Sequence, residues 1–249
     1  MTVNVTQARR RVRVPKLLLT AAIAFSLAIG TLAAAGPAAN AVSQAPALGT
    51  AATFAILAGT AVTCTGGDVT GDVGVFPGTA VTQTGCPVTG TTNAGDTVAA
   101  QAQIDFAIAY NEFKALACDQ TLTTLDGLTL SPGVYCFDAA ATSTGGVLTL
   151  DGPSDGIWIF KASTSLTPIG GSVVMAGGGQ ACNVYWQTGT AVSLDNTQFL
   201  GSILAGTAIT FTGVGSSLGG RALAKTAVTA TGASISGDCA AQPAGLAPF

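Results

Sequence analysis

Histidine is absent, and charge of either sign is scarce: nine lysines and arginines and twelve aspartates and glutamates in 249 residues. Without histidine there is no Ser–His or Cys–His couple for nucleophilic catalysis, and the commonest metal ligand is missing. No Cys-x-x-Cys pair supplies a zinc knuckle, so no metal and no cofactor is expected. No glycine-rich phosphate cradle precedes a helix. Long apolar runs are also lacking, with one exception. Leu17 to Ile29 follows Arg9, Arg10, Arg11, Arg13 and Lys16 and leads to Ala39-Asn40-Ala41. That order of basic, apolar and small residues reads as a secretory signal over residues 1–41, so a secreted, extracellular protein is expected. No other stretch is long enough to span a bilayer, so no membrane contact is expected after cleavage. Removing the signal leaves Lys114, Lys161, Arg221 and Lys225 against twelve acids, a net charge of 4 − 12 = −8. So acidic a chain has no footprint for a phosphate backbone, and nucleic acid is excluded as a partner.

Glycine, threonine and small apolar residues dominate what remains, and they are arranged in a repeat. Thr60-Ala61-Val62-Thr63, Thr79-Ala80-Val81-Thr82, Thr190-Ala191-Val192-Ser193, Thr207-Ala208-Ile209-Thr210 and Thr226-Ala227-Val228-Thr229 are spaced by 19, 17 and 19 residues within the two groups. That period fits one coil of a β-solenoid and is too short for a helical repeat. Gly201 aligns with Gly220, Leu204 with Leu223, Thr207 with Thr226 and Thr210 with Thr229, which puts two successive coils in register. Residues 42–239 are enough for one domain, with a short tail at 240–249. Phe54–Leu57, Asp68–Val75, Gly156–Lys161 and Val184–Trp186 read as strands, being apolar or β-branched beside glycines.

One segment departs from this text. Ala102, Phe106, Ala109, Phe113 and Leu116 recur at steps of four and three, with Asp96 placed to cap the first turn. This predicts one amphipathic helix at about 97–117, its polar face carrying Gln103, Asn111 and Lys114. The six cysteines, Cys64, Cys86, Cys118, Cys136, Cys182 and Cys239, read as three disulfides in an exported chain. Six cysteines allow fifteen pairings. Proximity favours Cys64–Cys86 and Cys118–Cys136, and elimination leaves Cys182–Cys239.

Leu48-Gly49-Thr50-Ala51-Ala52-Thr53-Phe54-Ala55-Ile56-Leu57-Ala58 and Thr70-Gly71-Asp72-Val73-Gly74-Val75-Phe76-Pro77 resemble the opening of the microbial ice-binding protein family. Gly220-Arg221-Ala222-Leu223-Ala224-Lys225-Thr226-Ala227-Val228-Thr229 is similar to the family's last coil. The resemblance runs from about Leu48 to Asp238. It implies a mostly β fold: a right-handed, discontinuous parallel β-solenoid of triangular section with one long helix alongside. It also implies a non-catalytic monomer whose partner is the surface of an ice crystal. The family's ice-binding segments correspond to Thr60, Thr63, Thr79, Thr82, Thr190, Ser193, Thr207, Thr210, Thr226 and Thr229.

Elementary geometry says why such residues suit ice. Solenoid strands stack at about 4.8 Å, so a column of identical side chains repeats at that spacing, close to repeats in ice planes. Threonine's branched Cβ restricts χ1, its hydroxyl can hold a water and its methyl can sit in a cage of others. Alternation directs Thr210 outward beside an inward Ile209, whereas Thr207 reaches the surface only from a corner. Two other classes suit an exported solenoid. An enzyme would need carboxylate pairs such as Asp68 with Asp72 or Asp151 with Asp155, but both lie in turn-like text that Asx-turns explain. Asp151 to Gly156 lacks the ligand spacing of an EF-hand loop. The alternative function is a non-catalytic, adhesin-like surface solenoid. Sugar platforms would favour it, yet Trp158 and Trp186 sit within apolar strands and read as core.

Overall fold

Each coil turns three corners, and among the described residues the strands between corners build three parallel sheets of nine, seven and seven strands around a triangular core. The computed structural model describes residues 44–238. The expected signal peptide at 1–41, Cys239 and the tail at 240–249 lie outside the described residues. Sheet A runs, in stacking order, through Thr92–Ala94, Asp72–Val75, Phe54–Ala58, Ala222–Ala224, Ser202–Ala205, Val184–Thr188, Trp158–Ala162, Gly133–Phe137 and Gln120–Thr121. Sheet B runs through Ala141–Ser143, Leu166–Pro168, Val192–Asp195, Ile209–Thr212, Ala227–Thr231, Ala61–Thr65 and Ala80–Thr84. Sheet C contains Asp68–Thr70, Ser234–Ser236, Ser217–Gly219 and the strands that follow them to Thr129–Leu130.

The stack is discontinuous in sequence. Phe54–Ala58 pairs with Ala222–Ala224, so the N-terminal coils sit on the last coil of the chain. The chain must then travel from the Thr92–Ala94 end of sheet A to the Gln120–Thr121 end. Eight strand intervals make that journey about 38 Å. The helix Thr97–Ala115 covers about 28 Å of it at 1.5 Å per residue. The Asp96 carboxylate accepts from the Ala99 amide as the predicted cap. The helix stops at Ala115, two residues short of the predicted end, because Leu116 adopts extended backbone and still packs its side chain partly against the helix-facing core.

The inner strands of sheet A are buried on both faces, which is why they read as continuous apolar runs. Phe54, Leu57, Ile159, Leu204 and Leu223 meet Ala102, Phe106, Ala109, Tyr110 and Phe113 of the helix. Full burial of each phenylalanine contributes about 1.5–3 kcal/mol. Inside the coils, Tyr135, Phe160, Trp186 and Phe199 form a ladder with centroid spacings of 5.5, 4.0 and 4.6 Å. Trp158 and Trp186 are buried, and their indole N–H groups donate to the Leu130 and Leu200 carbonyls. They are core residues and offer no exposed platform.

Cys64–Cys86 and Cys118–Cys136 are bonded as proximity suggested, each pair with Cα atoms 5.8 Å apart. Cys182 is disulfide-bonded too. At the corner between sheets A and B, glycine is a requirement of close approach: a Cβ on Gly59 would fall 2.0 Å from the Lys225 carbonyl oxygen, and one on Gly189 2.0 Å from that of Ser163.

Candidate functional site

The alternation in Ala61–Thr65 is half-buried, buried, half-buried, buried, exposed, so Val62 and Cys64 point to the core while Ala61, Thr63 and Thr65 point out. The same pattern holds in Ala227–Thr231. Register then aligns the outward residues between coils. Ser193 pairs with Thr210, Thr210 with Thr229, Thr229 with Thr63, and Thr63 with Thr82. Five of the predicted residues thus form one central column, with the N-terminal motifs stacked directly on the C-terminal ones. Thr142 pairs with Thr167, and the Leu166–Val192 register continues the column from Thr167 to Ser193. Seven strands at about 4.8 Å give a column of about 29 Å.

The other five predicted residues occupy the corner. The Thr207 amide donates to the Thr190 carbonyl at 3.2 Å, Thr226 to Thr207 at 3.1 Å and Thr60 to Thr226 at 3.0 Å. Thr79 follows Gly78, whose amide donates to the Gly59 carbonyl at 2.9 Å. Thr60, Thr79, Thr190 and Thr207 are exposed and Thr226 is half-buried. The corner position resolves the alternation problem: these residues precede the strand and need not obey its two-residue period.

Sequence reasoning missed three sets, the first being Thr142 and Thr167 of the central column. Thr164 extends the corner row, its carbonyl accepting from Thr190 at 2.8 Å. The Thr164-Ser165-Leu166-Thr167 segment lacks the alanine that marked the repeat. A further outward column, Thr212, Thr231, Thr65 and Thr84, lies two residues beyond the central one. Extending the repeat to Thr-Ala-x-Thr-x-Thr would have found it.

Two properties of sheet B bear on what it can contact. First, among the described residues no protein group hydrogen-bonds the side-chain hydroxyls of the central column from Ser193 to Thr82. Second, the cations lie elsewhere. Lys161 donates to the Leu116 carbonyl at the helix end, Arg221 Nε to the Ala52 carbonyl at 2.7 Å, and Lys225 Nζ sits 3.7 Å from the Tyr110 ring centroid. Burial lowers the pKa of Lys161 and Arg221, and that of Lys225 with help from the Lys114 charge. Asp195 is the charged side chain at the margin of the array, pairing in register with Thr212.

Of the candidate catalytic carboxylates, Asp68 and Asp72 serve structure. Asp72 accepts from the Thr91 amide at 2.7 Å and Asp68 from Ser234. Among the described residues, no three His, Cys, Asp or Glu side chains cluster to hold a metal. No described helix is long and apolar enough to cross a membrane. A cleft of about 430 Å³ beside the helix is lined by Phe76, Pro77, Ile104 and Phe106, with Lys225 its one charged lining residue. It holds no acid–base pair.

The ice-binding-like family model matches residues 56–236. An ice-binding protein of Nostoc sp. (strain HG1) is 42% identical over 205 residues, covering 79% of this chain and 76% of the relative. One from Flavobacterium frigoris (strain PS1) is 36% identical over 205 residues, covering 73% and 72%. Among solved structures, an ice-binding protein from an Antarctic biological consortium superposes with a TM-score of 0.74 at 36% identity, covering 78% of this chain and 92% of that one. One from Arctic yeast superposes with a TM-score of 0.71 at 27% identity, covering 84% and 98%. The discontinuous three-sheet stack, the helix on sheet A and a match spanning nearly every coil have one source: the chain belongs to the ice-binding-like family.

Proposed function

We propose that this protein is exported as a monomer and adsorbs to ice through the outward face of sheet B. The carrying observation is the central column, Ser193, Thr210, Thr229, Thr63 and Thr82, in register over adjacent strands with hydroxyls free of protein partners. The corner residues Thr60, Thr79, Thr190, Thr207 and Thr226 flank it. The names of the relatives and structural neighbours support the same reading.

The mechanism is surface complementarity without chemistry. A rigid sheet fixes the Cβ positions, and branched side chains lose little rotamer entropy on docking. Hydroxyls hold waters while methyls occupy gaps between them, so hydration at the face merges with the lattice. Ice growing between adsorbed molecules must curve, which lowers its local freezing point. The same adsorption opposes recrystallisation. The absence of charge from the central column matters because a charged group keeps its own hydration shell.

The test is ice-affinity partitioning of the oxidised protein beside Thr210→Tyr, which raises a bulky ring from the middle of the column. The wild type is expected to enter slowly growing ice and the variant to remain in the liquid. Exclusion of both would refute ice adsorption.

A further inference from the structure

We propose that the cleft beside the helix binds a small amphiphile: a free, medium-chain hydroxycarboxylate whose carboxylate pairs with Lys225 and whose hydroxyl oxygen accepts from Gln103. The proposal concerns a different surface from sheet B and does not depend on how that sheet is read.

The cleft encloses about 430 Å³, within the range of small-molecule sites. Ala100, Gln103 and Ala107 line it, at steps of three and four and therefore on one flank of the helix. Ile104 stands beside them and is 55% exposed. Phe76 and Pro77, just after the strand Asp72–Val75, add further apolar lining. From Ala100 to Ala107 the helix rises about 10 Å, the reach of an extended medium-chain aliphatic.

Two polar groups interrupt this lining, and each lacks a counterpart. Gln103 belongs to the helix face that the sequence marks as polar, yet it is half-buried. Its Nε2 is buried and has no hydrogen-bond partner among the described residues. A buried amide in that condition bears its full desolvation cost. Lys225 Nζ lies 3.7 Å from the Tyr110 ring centroid, a contact that holds the ammonium beside the helix. Desolvation, and then the Lys114 charge, lower its pKa, so the surroundings are short of negative charge. Among the described residues no carboxylate pairs with it.

These two donors specify a ligand because they differ in kind. The ammonium calls for an anion, and the neutral amide for a neutral oxygen. A water would satisfy the amide and leave the apolar walls exposed. A phosphate dianion would meet one cation only and set its remaining charge against Phe76 and Ile104. A hydroxycarboxylate supplies one charge and one neutral acceptor at the same end, and its chain covers the apolar walls.

The full oxidised chain would be titrated with 3-hydroxydecanoate below its micelle concentration, with affinity read by calorimetry and position by NMR. Saturable one-to-one binding is expected, with shifts concentrated at residues 100–107 and at Phe76. Decanoate, which lacks the hydroxyl, and 1,3-decanediol, which lacks the charge, are each expected to bind about fivefold more weakly. Gln103→Leu is expected to abolish the advantage over decanoate while keeping or raising Tm, since it removes an unsatisfied donor. Lys225→Gln is expected to abolish the advantage over the diol, and Lys225→Arg to restore it. Ala107→Phe, at an exposed position that tolerates bulk, is expected to fill the cleft and prevent binding. Absence of saturable binding, or shifts confined to another surface, overturns the site. Ligand preferences unchanged in both Gln103→Leu and Lys225→Gln overturn the assignment of the two donors. Dilution of the ligand-free chain that moves the same helix resonances, with no response to 3-hydroxydecanoate, assigns the cleft to a second copy of the chain and overturns the proposal.

Discussion

Asp126 illustrates how single side chains close the solenoid. Its carboxylate accepts from the Ser143 hydroxyl, the Thr144 amide and hydroxyl, and the Gly146 amide. These bonds, the Ser143 hydroxyl foremost, hold its pKa down to about 2. An unfolded aspartate titrates near about 3.9. The folded value is the lower, so the stabilisation is present above the unfolded pKa and is lost as pH falls through the folded one. Wild-type stability is therefore expected to decline between about pH 4 and pH 2. Asp126→Asn should flatten that part of the profile, as urea midpoints across the pH series would show; an unchanged slope would remove Asp126 from the account. Nothing in the local sequence announces this role, because the acceptor and its donors are brought together only when one coil lies on the next. Asp105 was hidden for the same reason: the Thr50 hydroxyl and amide lower its pKa, and they come from the far side of the first two coils.

Among elements, the helix and the coil repeat were legible because each writes a periodic signal. Phe106 and Phe113 mark a helical stripe, and Thr207 and Thr226 mark successive corners. The pairing of Thr63 with Thr229 was not legible, since partners so distant in sequence share no local pattern. Nor was the exposed apolar edge of the helix at Ile104 and Ile108, which the greasy stripe did not include. The end of the stack at Ala80–Thr84 has a sheet partner on one side only, the strand Ala61–Thr65. Edge strands of this kind fray unless secured. Cys64–Cys86 ties the loop after that strand to its inner neighbour and closes a segment with a sequence separation of 22. Removing it with Cys64→Ser and Cys86→Ser should cost about 2–4 kcal/mol. Amide exchange should then quicken first at Ala80–Thr84, the strand that carries Thr82 and Thr84. Uniform quickening across all coils would show that the bond stabilises the whole stack and not its end.

At the largest scale, the cations of the described residues and the proposed ice-contacting face are separated. Lys161, Arg221 and Lys225 secure the helix and the N-terminal segment to sheet A, and Lys114 lies on the helix. The threonine net from Ile209–Thr212 to Ala80–Thr84 carries no titratable side chain at its outward positions. Cations near a face bind water and anions strongly, so keeping them on the helix side preserves uncharged hydration on sheet B. The proposed docking through hydroxyls and methyls has no proton to gain or lose, so partition into ice is expected to be level between about pH 5 and pH 8. Asp195→Asn should be level over the same range and, having lost its charge, should partition at least as well as the wild type. A wild-type profile that rises or falls across this window, with the fold intact by circular dichroism, would mean that an ionisable group takes part in adsorption. Asp195, as the charged group at the margin of the array, would then be the first residue to substitute.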